Sequence, residues 1–216
     1  MAYDLIIFDL DGTLVDSETL ANRVFYDKLV ARGLDPRFDL TRVTRDFTGL
    51  TVAKCLTLAY ESYGLQRVPE DFEADLKDAT YASYRDSLVP ISGVPTMLQQ
   101  LQQPKCVASS SAPEKIAYSL ELTGLSHHFG SNLFSVHQVA EAKPAPDVFF
   151  FAAERMGGFA PASCAVVEDS LPGATAGIRA GMTVFAYRPD GDGEAFAALG
   201  CRVFGDMAAL PLLLKS

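Results

Sequence analysis

From Pro90 onward, short apolar runs alternate with helical stripes, and this alternation restricts the possible folds more than any other feature of the chain. Val94, Met97, Leu98 and Leu101 make a helical stripe, after which Lys105-Cys106-Val107-Ala108-Ser109 reads as a short strand. Ile116 and Leu120 fall in a helix stopped by Gly124, and Leu133-Phe134-Ser135-Val136 is the next strand. Phe149, Ala152, Ala153 and Met156 mark a helix that opens near Pro144 and Pro146. Cys164-Ala165-Val166-Val167 is an apolar strand ending in Glu168-Asp169, and Gly173 to Gly181 is a helix of small residues. Met182 to Tyr187 reads as a strand, Arg202-Val203-Phe204 as a weaker one, and a helix through Leu210 to Leu214 completes the pattern. Such alternation needs crossover connections, so it predicts a mainly parallel sheet with helices on both faces.

The N-terminal run Leu5-Ile6-Ile7-Phe8 has the length and composition of a buried strand in the same sheet, and it stops at Asp9-Leu10-Asp11-Gly12. Gly12 permits a sharp turn, which places both acids at a strand end where a ligand can approach closely. Asp and Gly are common turn formers, so this segment decides nothing alone. The following block is helical. Val15-Asp16-Ser17-Glu18 supplies an N-cap candidate, Ala21, Phe25 and Leu29 recur every four positions, and the helix ends near Gly33 and Pro36. Val52, Leu56, Ala59, Tyr60 and Tyr63 form a second stripe that closes at Gly64, and Phe72, Leu76 and Ala79 form a third after Pro69-Glu70. The expectation is an α/β fold: a doubly wound, Rossmann-like parallel core over residues 1–15 and 88–216, with an all-helical cap inserted over residues 16–87. Gly173, Gly177 and Gly181 lack the spacing of a nucleotide-binding loop and read as close helix packing.

With 216 residues, 49% of them hydrophobic and 21% charged, the chain can bury a core of this kind. A net charge of −9 argues against nucleic-acid and anionic-membrane partners, because no global positive field would attract them. Cys55, Cys106, Cys164 and Cys201 form no C-x-x-C pair and suggest neither zinc nor a disulfide framework. Cys106 and Cys164 begin apolar runs and read as small buried hydrophobes. With no leader pattern and no long apolar run, the expected setting is a reduced cytoplasm. Whether the chain is a monomer or a homodimer is not readable.

In a parallel sheet the strand ends at Asp9 and Asp11, at Ser109-Ser110-Ser111 and at Glu168-Asp169 lie along one edge, with Lys143 in a loop that opens a helix. Carboxylates gathered in one cleft require a cation, and an all-oxygen site favours Mg²⁺ over zinc. Metal, lysine and hydroxyl donors together suit a phosphoryl group, whose transfer depends on positioning and on neutralising oxygen charge. Taken singly, Lys143 fits a solvated loop lysine, Ser109 a helix N-cap and Glu168-Asp169 a strand-end turn.

Asp9-Leu10-Asp11-Gly12-Thr13-Leu14, Ser109, Lys143-Pro144-x-Pro146-Asp147 and Glu168-Asp169-Ser170-x-x-Gly173 resemble, in order and spacing, the four motifs of the haloacid-dehalogenase superfamily. Within it the chain is similar to the branch with a helical cap between the first and second motifs, which includes phosphoglycolate phosphatase, sugar-phosphate phosphatases and β-phosphoglucomutase. The resemblance implies that Asp9 attacks phosphorus and that Asp11 serves as acid and then base. It also implies that Ser109 binds a phosphoryl oxygen, with Ser110 beside it, and that Lys143 balances charge. Mg²⁺ would be held by the Asp9 side chain, the Asp11 carbonyl and Asp169, with Glu168 bound directly or through water. In capped members the cap contacts the leaving group, so Glu18, Asn22, Thr48, Gly49, Leu50 and Thr51 are candidates for specificity. The implied substrate is a small phosphorylated metabolite of the sugar phosphate, phosphogluconate or phosphoglycolate type.

The resemblance also separates activities. Haloacid dehalogenases lack an acid corresponding to Asp11, so carbon–halogen cleavage is disfavoured. β-Phosphoglucomutase carries a cap His where this chain has Ala21, and basic residues around Gly49 where this chain has Thr48 and Val52. A phosphonatase needs a cap Lys in a context that Lys54 does not match. A non-catalytic binding protein remains as a different class, disfavoured because every catalytic position is filled. His127-His128 and His137 read as structural, and the three serines lack the G-x-S-x-G of a serine hydrolase.

Overall fold

Four apolar residues, all fully buried, form β1 (Leu5–Phe8) at the middle of a six-stranded sheet. A computed structural model describes residues 3–35, 37–47, 52–68 and 70–215. After β1 come α1 (Ser17–Val30), α2 (Leu40–Phe47), α3 (Val52–Ser62) and α4 (Phe72–Ser87). The alternating region then runs α5 (Val94–Gln100), β2 (Lys105–Ser109), α6 (Pro113–Leu122), β3 (Leu133–Ser135), α7 (Asp147–Arg155), β4 (Cys164–Glu168), α8 (Leu171–Arg179), β5 (Thr183–Tyr187), α9 (Glu194–Ala198), β6 (Arg202–Phe204) and α10 (Leu210–Leu213). The chain divides into two compact units, Met1–Asp16 with Val89–Ser216, and Ser17–Leu88.

In the larger unit the strand order is β3-β2-β1-β4-β5-β6, and each pairing is parallel, where the sequence suggested a mainly parallel sheet. Leu5 and Ile7 pack in one cluster with Val148, Phe149 and Ala152 of α7 and with Ala174 and Ala176 of α8. The alternate residues Ile6 and Phe8 point to the opposite face and are equally buried, with the Phe8 ring edge-on to Phe129 at 6.0 Å between centroids. Burial on both faces explains why the strands read as continuous apolar runs. Close packing accounts for Gly177: a Cβ there would lie 2.6 Å from Val184 Cγ2. All four cysteines are unpaired and buried, and burial pushes the Cys164 thiol up to about 11.

The chain leaves and re-enters this unit at neighbouring points, since Asp16 N donates to Val89 O at 3.0 Å and Val15 bridges to Pro90. An insertion whose ends are already paired costs little loop-closure entropy. The smaller unit is helical throughout its described elements. Its core holds Leu29, Val43, Phe47, Cys55, Leu56, Tyr63, Phe72 and Leu76, with the Tyr63 ring stacked on Phe38 and Phe47. Lys28 and Arg32 both donate to Asp75, joining α1 to α4, and this pairing holds the Asp75 carboxyl below its usual range. Of the stripe on α1, Leu29 is buried while Ala21 and Phe25 are half-buried. Among the described residues no helix is long and apolar enough to cross a membrane.

Candidate active site

In this strand order β1 and β4 adjoin at the point where the chain switches direction along the sheet, and such switch points open a crevice beyond the strands' carboxyl ends. Phe8 stands opposite Val167 on β4 and Val107 on β2, so Asp9, Glu168 and Ser109 leave three adjacent strands side by side. Asp9 N still donates to Val167 O at 2.9 Å, which continues the ladder up to the acid.

Lys143 ties the strand ends together. Its Nζ donates to Asp9 Oδ1 at 2.6 Å, to Glu168 Oε1 at 2.7 Å and to Ala108 O at 3.0 Å, which uses the three donors of an ammonium. It also lies 5.0 Å from the centre of the Phe149 ring. Arg179 of α8 braces its loop by donating to Pro144 O at 3.0 Å. The Lys143 side chain is only 3% exposed, and desolvation works against its charge, but Asp9 and Glu168 outweigh that and hold its pKa above the ordinary range. Burial acts on Asp9 in the other direction and pushes its carboxyl up to about 7; Lys143 opposes this, while Glu168 and Asp11 add to it.

Glu168 is fully buried and accepts at Oε2 from Asp169 N, Ser170 N and Ser170 Oγ at 3.0, 2.9 and 2.8 Å. Ser170 Oγ in turn caps α8 by accepting from Gly173 N at 3.1 Å. A Cβ on Gly173 would lie 1.6 Å from Glu168 Oε1, so the glycine is what admits this carboxylate. In this arrangement Glu168 braces Lys143 and the loop. Its neighbour Asp169 turns to the other motif and accepts from Thr13 Oγ1 at 3.1 Å. Gly12 has φ +76, and a Cβ there would fall 2.2 Å from Asp169 Oδ2. The glycine therefore serves both the turn and the close approach of the two motifs.

The second aspartate has its own cation. Lys115 Nζ donates to Asp11 Oδ1 and Oδ2 at 2.9 and 3.0 Å, and Ser111 Oγ donates to Asp11 Oδ2 at 2.6 Å. Ser109 is buried and accepts from Ser111 N at 3.1 Å; the N-cap of α6 is Ala112, not Ser109. Ser110 is exposed, and Ser111 is the serine that turns toward Asp11. Arg188 at the end of β5 donates to Asp169 O at 3.3 Å.

A divalent cation fits what remains. Among the described residues no three His, Cys, Asp or Glu side chains cluster as a metal cage. Asp169, against Gly12, and Asp9, at the neighbouring strand end, would offer such an ion two carboxylates, together with the Asp11 carbonyl. Magnesium suits such a set, because it keeps several waters and binds through one or two carboxylates plus phosphate oxygens. Glu18 and Asn22 lie on α1 of the smaller unit, exposed and half-buried respectively; Thr48, Gly49, Leu50 and Thr51 lie outside the described residues.

Lys115 is the residue that sequence reasoning missed; Ser111 and Thr13 stood in the strand-end serines and the first motif without a role, and the structure sets them against Asp11 and Asp169. The signal for Lys115 was its place in the first turn of the helix that follows the Ser109-Ser110-Ser111 strand end.

A family model for haloacid dehalogenase-like hydrolases matches residues 3–181. The chain is 28% identical over 213 residues to the 6-phosphogluconate phosphatase of Escherichia coli, covering 99% of this chain and 95% of that protein. It is 33% identical over 189 residues to a probable pseudouridine-5'-phosphatase of Drosophila melanogaster, covering 82% and 78%. A hydrolase of the same family from Deinococcus radiodurans, crystallised with bound phosphate and sodium, superimposes with a TM-score of 0.88 at 30% identity and covers 99% of this chain and 96% of its own. With its strand-end acids, lysine and glycines set out as described, the chain belongs to the haloacid dehalogenase-like hydrolases.

Proposed function

We propose that the protein is a magnesium-dependent phosphatase that hydrolyses small organic phosphate monoesters, of the sugar phosphate kind, through a phosphorylated Asp9. The observation that carries this reading is the buried Lys143 bridge, which fixes Asp9 at the mouth of the crevice and supplies a permanent positive charge where a phosphoryl group would arrive. The phosphatase names of the relatives, and the phosphate held by the related hydrolase, support the same reading.

Asp9 attacks phosphorus with its carboxylate oxygen as the ester P–O bond breaks, and Asp11 hands a proton to the departing alcohol oxygen. Asp11 then takes a proton from the water that hydrolyses the acyl phosphate, returning Asp9 to its starting state. Acid–base help of this kind contributes about 10² to 10⁴ in rate. Ser109 would donate to a phosphoryl oxygen, and Lys143 holds Asp9 oriented while offsetting the incoming charge. Magnesium held by Asp9, Asp169 and the Asp11 carbonyl would supply the remaining neutralisation of the phosphoryl oxygens. The helical unit, with Glu18, Asn22 and residues 48–51 as candidates, would select the leaving group.

Phosphate release from a panel of small esters, with magnesium and with chelator, tests this reading. Release should require the metal and should fall by about 10³-fold or more in Asp9→Asn, since covalent catalysis is then lost. Release that survives both changes would overturn the proposal.

A further inference from the structure

We propose that Lys115, acting with Ser111, is a positioning residue that fixes the Asp11 carboxyl group, which in its protonated form gives its proton to the leaving alcohol. The inference rests on the phosphatase reading above.

Asp11 sits on the turn after β1, next to a glycine. Two side chains reach its carboxylate from 100 and 104 residues away. Ser111 Oγ donates to one carboxylate oxygen, Lys115 Nζ donates to both, and Lys115 also donates to Ser111 Oγ at 3.0 Å, closing a three-membered cluster. Ser111 is itself held from two sides. Its N–H donates to Ser109 Oγ, and its carbonyl accepts from Ser135 Oγ at 2.7 Å at the end of β3. The clamp on Asp11 is therefore anchored to β2 and β3.

The placement of the lysine points the same way. Lys115 lies in the first turn of α6, as its third residue, where the helix dipole disfavours a cation. A lysine there loses a little stability unless a carboxylate lies over it, and Asp11 does. The two aspartates of the first motif thus have separate lysines: Lys143 holds the nucleophile and Lys115 the acid–base group. Proton transfer depends steeply on geometry, so loosening Asp11 should reduce the step that needs its proton and leave phosphoryl binding to Lys143 and Ser109.

The test is kcat/KM for wild type, Lys115→Met, Lys115→Arg and Ser111→Ala on three esters. p-Nitrophenyl phosphate has a leaving group that departs readily as an anion, a neutral sugar phosphate needs the proton, and 6-phosphogluconate needs it and carries a carboxylate. Lys115→Met should lose about tenfold to hundredfold on both sugar esters, with a loss on the nitrophenyl ester at least about tenfold smaller. Lys115→Arg should recover much of the difference, and Ser111→Ala should show the same pattern in weaker form, which keeps the test open if Lys115→Met fails to fold. Equal losses on all three esters, or no loss, would overturn the inference. A loss confined to 6-phosphogluconate would also overturn it, because Lys115 would then be reading the substrate's charge. If the wild type hydrolyses none of the three, the phosphatase reading falls and the inference with it.

Discussion

Asp9 and Lys143 are both buried and both titrate above their ordinary values, for different reasons: burial raises the Asp9 carboxyl, whereas the Asp9 and Glu168 carboxylates hold the Lys143 ammonium charged against its burial. For Asp9, burial prevails and its carboxyl is pushed up to about 7 from an unfolded value of 3.8. A carboxyl whose folded pKa is raised contributes stability that is complete below the unfolded value and is lost as pH climbs through the folded one. Without metal, the wild type should therefore lose stability relative to Asp9→Asn as pH rises from 5 to 8, by on the order of 2 kcal/mol. Thermal unfolding of both proteins in chelator checks this: the gap in midpoint should widen in favour of the amide variant, and a constant gap would contradict it. Asp9, Lys143 and Asp169 were legible in the sequence because short motifs fix them locally. Lys115 was not, since its meaning depends on a fold that carries it back over a residue 104 positions earlier. Glu168 was legible as a member of the site but not as a brace, because only the positions of Ser170 and Gly173 in space turn its carboxylate inward.

The elements that hold the site are α8 and the turn after β1, and glycines govern both. Gly177 lets α8 lie against β4 and β5, where a Cβ would meet Val184 at 2.6 Å. Gly177→Val should cost about 1–3 kcal/mol by overpacking, seen as a midpoint lower by roughly 2–4 °C per kcal/mol. Gly12→Ala should act on function instead. The added methyl strains a backbone at φ +76 and pushes Asp169 from its place beside Thr13. Activity should fall by at least about tenfold, with an increased magnesium requirement. A Gly12→Ala enzyme with unchanged magnesium dependence would contradict that account. The buried strands β1, β2, β4 and β5 were readable as apolar runs because a parallel sheet buries both of its faces. Helices α2 and α9 were not read because both are short: α2 spans eight residues with a buried stripe of only Val43 and Phe47, and α9 spans five and buries only Phe196. Val136 was taken as strand but begins a tight turn, because the Ser135 side chain accepts from His137 N and ends the ladder.

At the scale of the molecule, a chain of net charge −9 is proposed to take an anionic substrate. The conflict is resolved locally, because Lys143 and Lys115 sit at the strand ends with the acids they neutralise, and a metal ion would supply the rest. The topology serves the same end, since a sheet that switches direction between β1 and β4 gathers into one crevice residues spread from Asp9 to Asp169. The claim on which this account depends is that a covalent bond forms between Asp9 and phosphorus. Rapid acid quenching of enzyme turning over a sugar phosphate with magnesium, followed by peptide mass analysis, measures it directly. The account predicts one phosphoryl group on Asp9 of the wild type and none on Asp9→Asn. Phosphate release without that adduct, or an adduct on any other residue, would contradict it.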